Sequence, residues 1–164
     1  MNFDIREENI LLEFEHVIQI NDLTDRDIMV LDRSQLWEGL IFRARRPDKF
    51  VNNLAVETED LASDEFERVI TVGKSKFIER VVMYPDGRIH TKTIEDIEQL
   101  SAESMTQIEE PEAGFLFVRF TYTRELEIED GGENLEDHLK AAYLQTDRDA
   151  IEMIRTLADS GVFG

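Results

Sequence analysis

The sequence predicts an α+β domain in which a curved antiparallel sheet of about seven strands wraps one long C-terminal helix. Three observations predict it. A long apolar-alternating segment, Gly114-Phe-Leu-Phe-Val-Arg-Phe-Thr-Tyr-Thr-Arg-Glu-Leu126, reads as an extended strand that runs out at Gly131-Gly132. A long amphipathic stretch follows, from about Asn134 to Asp159. Between Leu54 and Leu126, short strand-like runs alternate with tight-turn signals, as in a meander. A sheet curved around so long a helix leaves room for an internal pocket, and a pocket implies a ligand.

Taken in order, Leu12, Phe14, His16, Ile18 and Ile20 fall on one face of a first strand, with Glu13, Glu15 and Gln19 opposite and an irregularity at Val17. A polar loop, Asn21 to Asp27, follows. Asp32 with Gln35 three residues on resembles a capping box, opening a helix that carries Leu36, Trp37, Leu40, Ile41 and Ala44. Pro47 breaks this helix or restarts it as a second short turn near Phe50, giving two short helices after the first strand. Strands are expected near 54–61, 65–72, 76–84, 88–95, 103–110 and 114–126. Tyr84-Pro-Asp-Gly-Arg88 is the sharpest hairpin signal, and Gly73 and Gly114 mark two further reversals. The final helix aligns Leu135, Leu139, Ala142, Tyr143, Ala150, Ile151, Ile154, Leu157 and Ala158, with Gly161 just past its end. At 1.5 Å per residue such a helix spans roughly 37 Å, enough to cross the sheet. This is the helix-grip order.

The 164 residues fit a single domain, 1–164, with no repeat and no Pro/Gly-rich linker. The segment Met1 to Glu8 lacks the basic start and apolar core of a signal peptide, so a cytoplasmic location is the expectation. No apolar run is long enough for membrane insertion. The absence of cysteine excludes disulfides and thiolate chemistry. A net charge of −19 disfavours nucleic acid and anionic membrane surfaces as partners. The acids are spread along the chain as a solvated surface, which makes arginines inside apolar strands the more informative charges.

Six segments stand out: Phe14-Glu-His-Val-Ile-Gln-Ile-Asn21, Gln35-Leu-Trp-Glu-Gly-Leu40, Arg43-Ala-Arg-Arg-Pro47, Glu79-Arg-Val81, Phe115-Leu-Phe-Val-Arg-Phe-Thr-Tyr122 and Ile151-Glu-Met-Ile-Arg155. Together they resemble the START-like (SRPBCC) superfamily of helix-grip proteins, and within it the AtaL-like family. The Leu-Trp-Glu-Gly-Leu and Arg-Phe-Thr-Tyr words are specific in combination. The resemblance covers residues 12 to 160 and implies a cavity between sheet and C-terminal helix that accepts an apolar small molecule. The superfamily includes lipid carriers, hormone receptors and polyketide cyclases, so the resemblance sets no single activity.

Six residues are candidates for ligand binding: Arg80, Tyr122, His16, Trp37, Phe120 and Tyr143. Alternation leaves Arg80 open. It points inward if Ile78, Val82 and Tyr84 form the inner face, and into solvent if Glu79, Val81 and Met83 do. A buried guanidinium needs a carboxylate or an anionic ligand. On the last strand, Leu116, Val118, Phe120 and Tyr122 form the more apolar face, which sends Arg119 outward to surface acids and makes Tyr122 a polar handle on the pocket. Tyr143 lies on the apolar stripe of the final helix. Trp37 is a core residue or a wall of the entrance. Arg43 and Arg45, in the last turn of their helix, are placed to interact with its terminal carbonyls. His16 points inward, as a hydrogen-bonded core residue or as a general base.

No catalytic set is identifiable. His16, His90 and His138 lack metal-ligand spacing, no cofactor motif is present, and 37 acids make any acidic pair expected by chance. The leading expectation is a binding module whose ligand is lipid-, polyketide- or aromatic-like. A cyclase or aromatase using the same cavity, and an interaction protein whose cavity is filled by side chains, are the alternatives. Ligand identity and oligomeric state leave no mark in the sequence.

Overall fold

The computed structural model describes residues 10–94, 100–126 and 134–163. The predicted run-out at Gly131-Gly132, the end of the fifth strand at residue 95 and the N-terminal segment to Glu8 lie outside the described residues.

Strand β1 (Ile10–Gln19) is followed by helix α1 (Arg33–Arg45), a 3-10 turn (Pro47–Lys49), and strands β2 (Ala55–Ala62), β3 (Glu65–Val72), β4 (Ser75–Tyr84), β5 (Arg88–Thr93), β6 (Ala102–Glu112) and β7 (Phe115–Leu126). Helix α2 (Leu135–Asp159) completes the fold. The strands form one antiparallel sheet in the order β1-β7-β6-β5-β4-β3-β2. Consecutive strands pair as hairpins from β2 to β7, and β1 then joins the far side by pairing with β7. This is the helix-grip arrangement expected from the sequence.

One expectation is corrected. A single α-helix, not two, follows β1. Pro47 has no N–H to give to the carbonyl one turn earlier, so α1 stops at Arg45 and only the three residues 47–49 continue, as a 3-10 turn. The start of α1 is as read: Asp32 accepts from the Gln35 amide while the Gln35 side chain accepts from the Asp32 amide. The irregularity at Val17 is one of pattern alone: this valine lies exposed on the outer face with Glu13 and Glu15, while the β1–β7 register runs unbroken from Ile10↔Leu126 to Gln19↔Phe117. Gly87, with φ of 93°, turns the β4–β5 hairpin in a conformation that would strain a residue with a Cβ. At the end of α2 the Val162 amide reaches the Leu157 carbonyl and the Gly161 amide the Ala158 carbonyl, a Schellman cap.

The core lies between the concave sheet face and the two helices. Leu36 and Leu40 of α1, Ile151 and Ile154 of α2, and Phe66, Val81, Ile89, Ile108, Leu116, Val118 and Phe120 of the sheet are all buried in it. Two polar devices fix the loop between β1 and α1. Asn21, 1 % exposed, donates to the carbonyls of Leu31 and Gly114 and accepts from the Leu31 amide. Arg155 of α2 donates to the carbonyls of Met29 and Ile20. The loop is thereby tied to both sheet and helix, which sets where α1 begins.

Candidate functional site

Strand alternation decides which side chains reach the inside. On β1 and β7 the inward set is as expected: His16 and Phe120 face each other across the pair, as do Phe14 and Tyr122. On β4 the inward set is Glu79, Val81 and Met83, because Val81 pairs with Phe66 on one side and Thr91 on the other, all buried. Arg80 therefore lies on the outer face, half-exposed, beside Glu65 at 3.3 Å. Of the two faces that alternation leaves open for Arg80, strand parity selects the outer one, so its guanidinium meets solvent and Glu65, and it is no part of a ligand site beneath the helix.

The centre of the inner face is a carboxylate that sequence reasoning missed. Asp147 of α2 is fully buried. The Tyr122 hydroxyl lies 2.7 Å from its Oδ1 and 2.6 Å from its Oδ2, so its single proton is shared between them. Arg43 Nη2 donates to Oδ1 at 2.8 Å, and His16 Nε2 donates to Oδ2 at 2.7 Å. Four elements thus meet at one carboxylate: β1, α1, β7 and α2. A buried carboxylate in low dielectric requires this density of charged and hydrogen-bonding partners. Burial, reinforced by the adjacent Asp147 charge, pushes ionisation of the Tyr122 phenol far above its ordinary value.

Aromatic rings brace the cluster. The His16 ring is stacked between Phe14 and Phe120, with centroids 5.3 and 5.1 Å away. The Arg43 guanidinium lies over Phe120 at 5.8 Å. Tyr143, one helical turn before Asp147, stacks on Tyr122 at 4.0 Å, and Arg124 donates to its hydroxyl. With Nε2 committed to Asp147, the His16 Nδ1 is buried and has no hydrogen-bond partner.

Beside the cluster is a cavity of about 170 Å³ lined by Leu40, Arg43, Ala44, Pro47, Phe50, Val51, Arg68, Ile89, Thr91, Ser104, Thr106 and Tyr122. Arg43 and Tyr122 are in its wall; His16 and Asp147 stand behind them. Arg68 spans the floor, donating to Glu79 and to the Ala44 carbonyl near the end of α1. A separate, wider space of about 850 Å³ is lined by Thr93, Ala102, Arg124, Tyr143 and the β3–β4 hairpin, and shares no lining residue with the first.

Of the six predicted residues, the fold brings four together: His16, Phe120, Tyr122 and Tyr143. Trp37 packs against the core and borders a separate groove with Arg33, Pro85 and Ile108. Arg43 and Arg45 do not cap their own helix as expected. Arg43 reaches across to Asp147, while Arg45 pairs with Asp60 and covers the Phe66 ring. Arg119 faces outward between Glu109 and Glu15. Asp147 was readable in principle, because it falls four residues after Tyr143 and four before Ile151, on the apolar stripe. Among the described residues no three histidine or carboxylate side chains converge to hold a metal ion, and no helix is long and apolar enough to cross a membrane.

Residues 18–161 match the family described as AtaL, acetylaranotin biosynthesis cluster protein L. This chain belongs to the AtaL family. Three solved structures share the fold of this AtaL-family chain at low sequence identity. The di-domain ARO/CYC StfQ of the steffimycin biosynthetic pathway superposes with a TM-score of 0.66 at 12 % identity, covering 93 % of this chain and 52 % of StfQ. The Zhui aromatase/cyclase from a Streptomyces species gives 0.62 at 10 %, covering 91 % and 96 %. A point mutant of norcoclaurine synthase from Thalictrum flavum, in complex with a transition-state analogue, gives 0.62 at 8 %, covering 91 % and 97 %. The chain spans about half the length of StfQ and of a second di-domain ARO/CYC, BexL. No curated protein matches it in sequence.

Proposed function

We propose that this AtaL-family chain binds a small organic molecule in the space between sheet, α1 and α2, oriented by Arg43 and Tyr122. One observation carries the reading. Two polar side chains in the cavity wall are held from behind by a fully buried carboxylate, so their positions are set before any ligand arrives. The rest of the lining mixes apolar side chains with a few hydroxyls, the composition a ligand site requires. The cavity argues against a core wholly filled by side chains.

Native mass spectrometry of the purified chain tests for a bound molecule, and an amide NMR titration with 2-naphthol tests the site. Binding should shift Thr91, Ser104 and Tyr122, and Arg43→Met should weaken it about tenfold, the loss of one charge-assisted hydrogen bond. Saturable shifts confined to other surfaces would refute the reading.

A second reading, an enzyme of aromatase/cyclase type, draws on the convergence of His16, Asp147, Tyr122 and Arg43 and on the activities named for the StfQ and Zhui structures. It requires a group that removes a proton from the ligand. Tyr122 is ill suited, because burial and Asp147 hold its phenol neutral, and His16 does not line the cavity. Deuterium exchange into acetylacetone separates the readings: catalysis predicts acceleration by the wild type that His16→Phe abolishes, and binding alone predicts none.

A further inference from the structure

The chemistry of the cavity wall narrows the ligand class, an inference that rests on the binding reading above. The sheet side presents three hydroxyls, Thr91, Ser104 and Thr106. Thr91 pairs directly with Ser104 across β5 and β6, and Thr106 is the next inward residue on β6, opposite Ile89. Thr93, one inward step from Thr91, shows the contrast: its hydroxyl is used up within the sheet, donating to the Ala102 carbonyl and accepting from the Ala102 amide. Among the described residues the other three hydroxyls make no hydrogen bond to protein, although Thr91 is only 7 % exposed. Among the described residues the only buried side-chain polar atom lacking a partner is His16 Nδ1, so these three oxygens are open to the cavity.

Arg43 of α1 and Arg68 of β3, whose side chain reaches the end of α1, supply donors. Arg43 gives one N–H to Asp147, and Arg68 uses Nε for Glu79 and Nη1 for the Ala44 carbonyl, leaving further N–H groups on both guanidiniums in the lining. Each guanidinium already has its own carboxylate, Asp147 for Arg43 and Glu79 for Arg68. The site is balanced in charge before a ligand enters. An anionic ligand would bring an unmatched charge into a partly buried space. A purely apolar one would strip water from three hydroxyls and two guanidiniums and return no hydrogen bonds. A volume of about 170 Å³ is close to that of a cavity known to hold one benzene ring, about 150 Å³.

We propose that the ligand is a neutral, multiply oxygenated single-ring molecule of the polyphenol or cyclic polyketone class. Its oxygens are held by the Thr91, Ser104 and Thr106 hydroxyls and by Arg43 and Arg68.

Isothermal titration calorimetry with phloroglucinol, toluene and 2,4,6-trihydroxybenzoate tests this on the full chain. Phloroglucinol should bind at least tenfold more tightly than either of the others. The near-isosteric T91V/S104A/T106V variant should lose about fivefold per hydroxyl for phloroglucinol and keep its affinity for toluene. S104A alone, which removes one exposed-to-cavity oxygen with little change of shape, gives the same readout should the triple variant not fold. Equal or tighter binding of trihydroxybenzoate, or no preference for phloroglucinol over toluene, overturns the inference and leaves the binding reading standing. Failure of all three probes and of 2-naphthol to bind overturns both.

Discussion

Replacing Asp147 by Asn keeps the shape of the side chain and removes its charge. In the wild type the carboxylate has only donors around it: Arg43, His16 and the Tyr122 hydroxyl. An amide turns one of those acceptor positions into a donor, so at least one donor faces another, and Arg43 loses its counter-charge. Removing one partner of a buried ion pair costs about 3–5 kcal/mol. The Arg43 side chain is 21 % exposed and borders a cavity large enough to admit water, so the lower end, about 3 kcal/mol, applies. With a urea slope of about 2 kcal/mol/M, the unfolding midpoint should fall by about 1.5 M. The corresponding drop in Tm is about 6–12 °C for a chain of this size. Urea unfolding followed by far-UV circular dichroism measures it. The Arg43→Met variant and the double variant complete a cycle, in which the pair should show a coupling of at least about 1 kcal/mol. A destabilisation below about 1 kcal/mol for Asp147→Asn, or additivity in the cycle, would show that the carboxylate does not organise this cluster.

Other outcomes follow from the same structure. Tyr122 holds its proton in the folded state to higher pH than in the unfolded chain, whose phenol ionises near 10.0. The stabilisation this gives is complete below that pH and is lost as pH climbs above it, so the Tm advantage of the wild type over Tyr122→Phe should narrow between pH 9 and 11; a constant gap contradicts the burial of this phenol. In Gly39→Ala a Cβ would come within 2.5 Å of the Ile154 side chain where α1 crosses α2. Chemical denaturation should show a net loss of about 2 kcal/mol despite the better helix propensity of alanine. Asn21→Ala strands the Leu31 amide and two carbonyls away from water, and should cost about 3 kcal/mol by the same measurement.

Local pattern made much of the architecture readable. The alternation of β1 and β7 correctly placed His16, Phe120 and Tyr122 inside and Arg119 outside, because one face of each strand is markedly more apolar than the other. The segment around Arg80 has no such contrast: Ile78, Val82 and Tyr84 rival Val81 and Met83 in apolarity. There the face is chosen by pairing with Phe66 and Thr91, which lie elsewhere in the sequence. Asp147 was hidden for a different reason. One acid among 37 attracts no notice, and its significance comes from Arg43 and His16, which reach it from 104 and 131 residues away. Arg43 invited the local reading as a helix-end cation, but the contact that holds it is between elements. The open hydroxyls of Thr91, Ser104 and Thr106 line a cavity shared with Leu40, Arg43 and Ala44 of α1, an inter-element arrangement that no linear pattern records.

The pairing of the first strand with the last has a consequence for the order in which the molecule is assembled. On a ribosome β1 emerges early, yet the strand it pairs with, β7, is made only after the whole meander from β2 to β6. Until then the inward side chains Leu12, Phe14 and Ile18 have no sheet to join, and Leu11 and Val17, exposed even in the finished fold, add to the unprotected surface. The hairpins can form as they are made, whereas closure of the grip waits for residues near the end of the chain. Nascent chains halted before β7 would therefore carry a sticky leading strand, and acidic charge distributed along the whole sequence opposes the association of such intermediates by mutual repulsion.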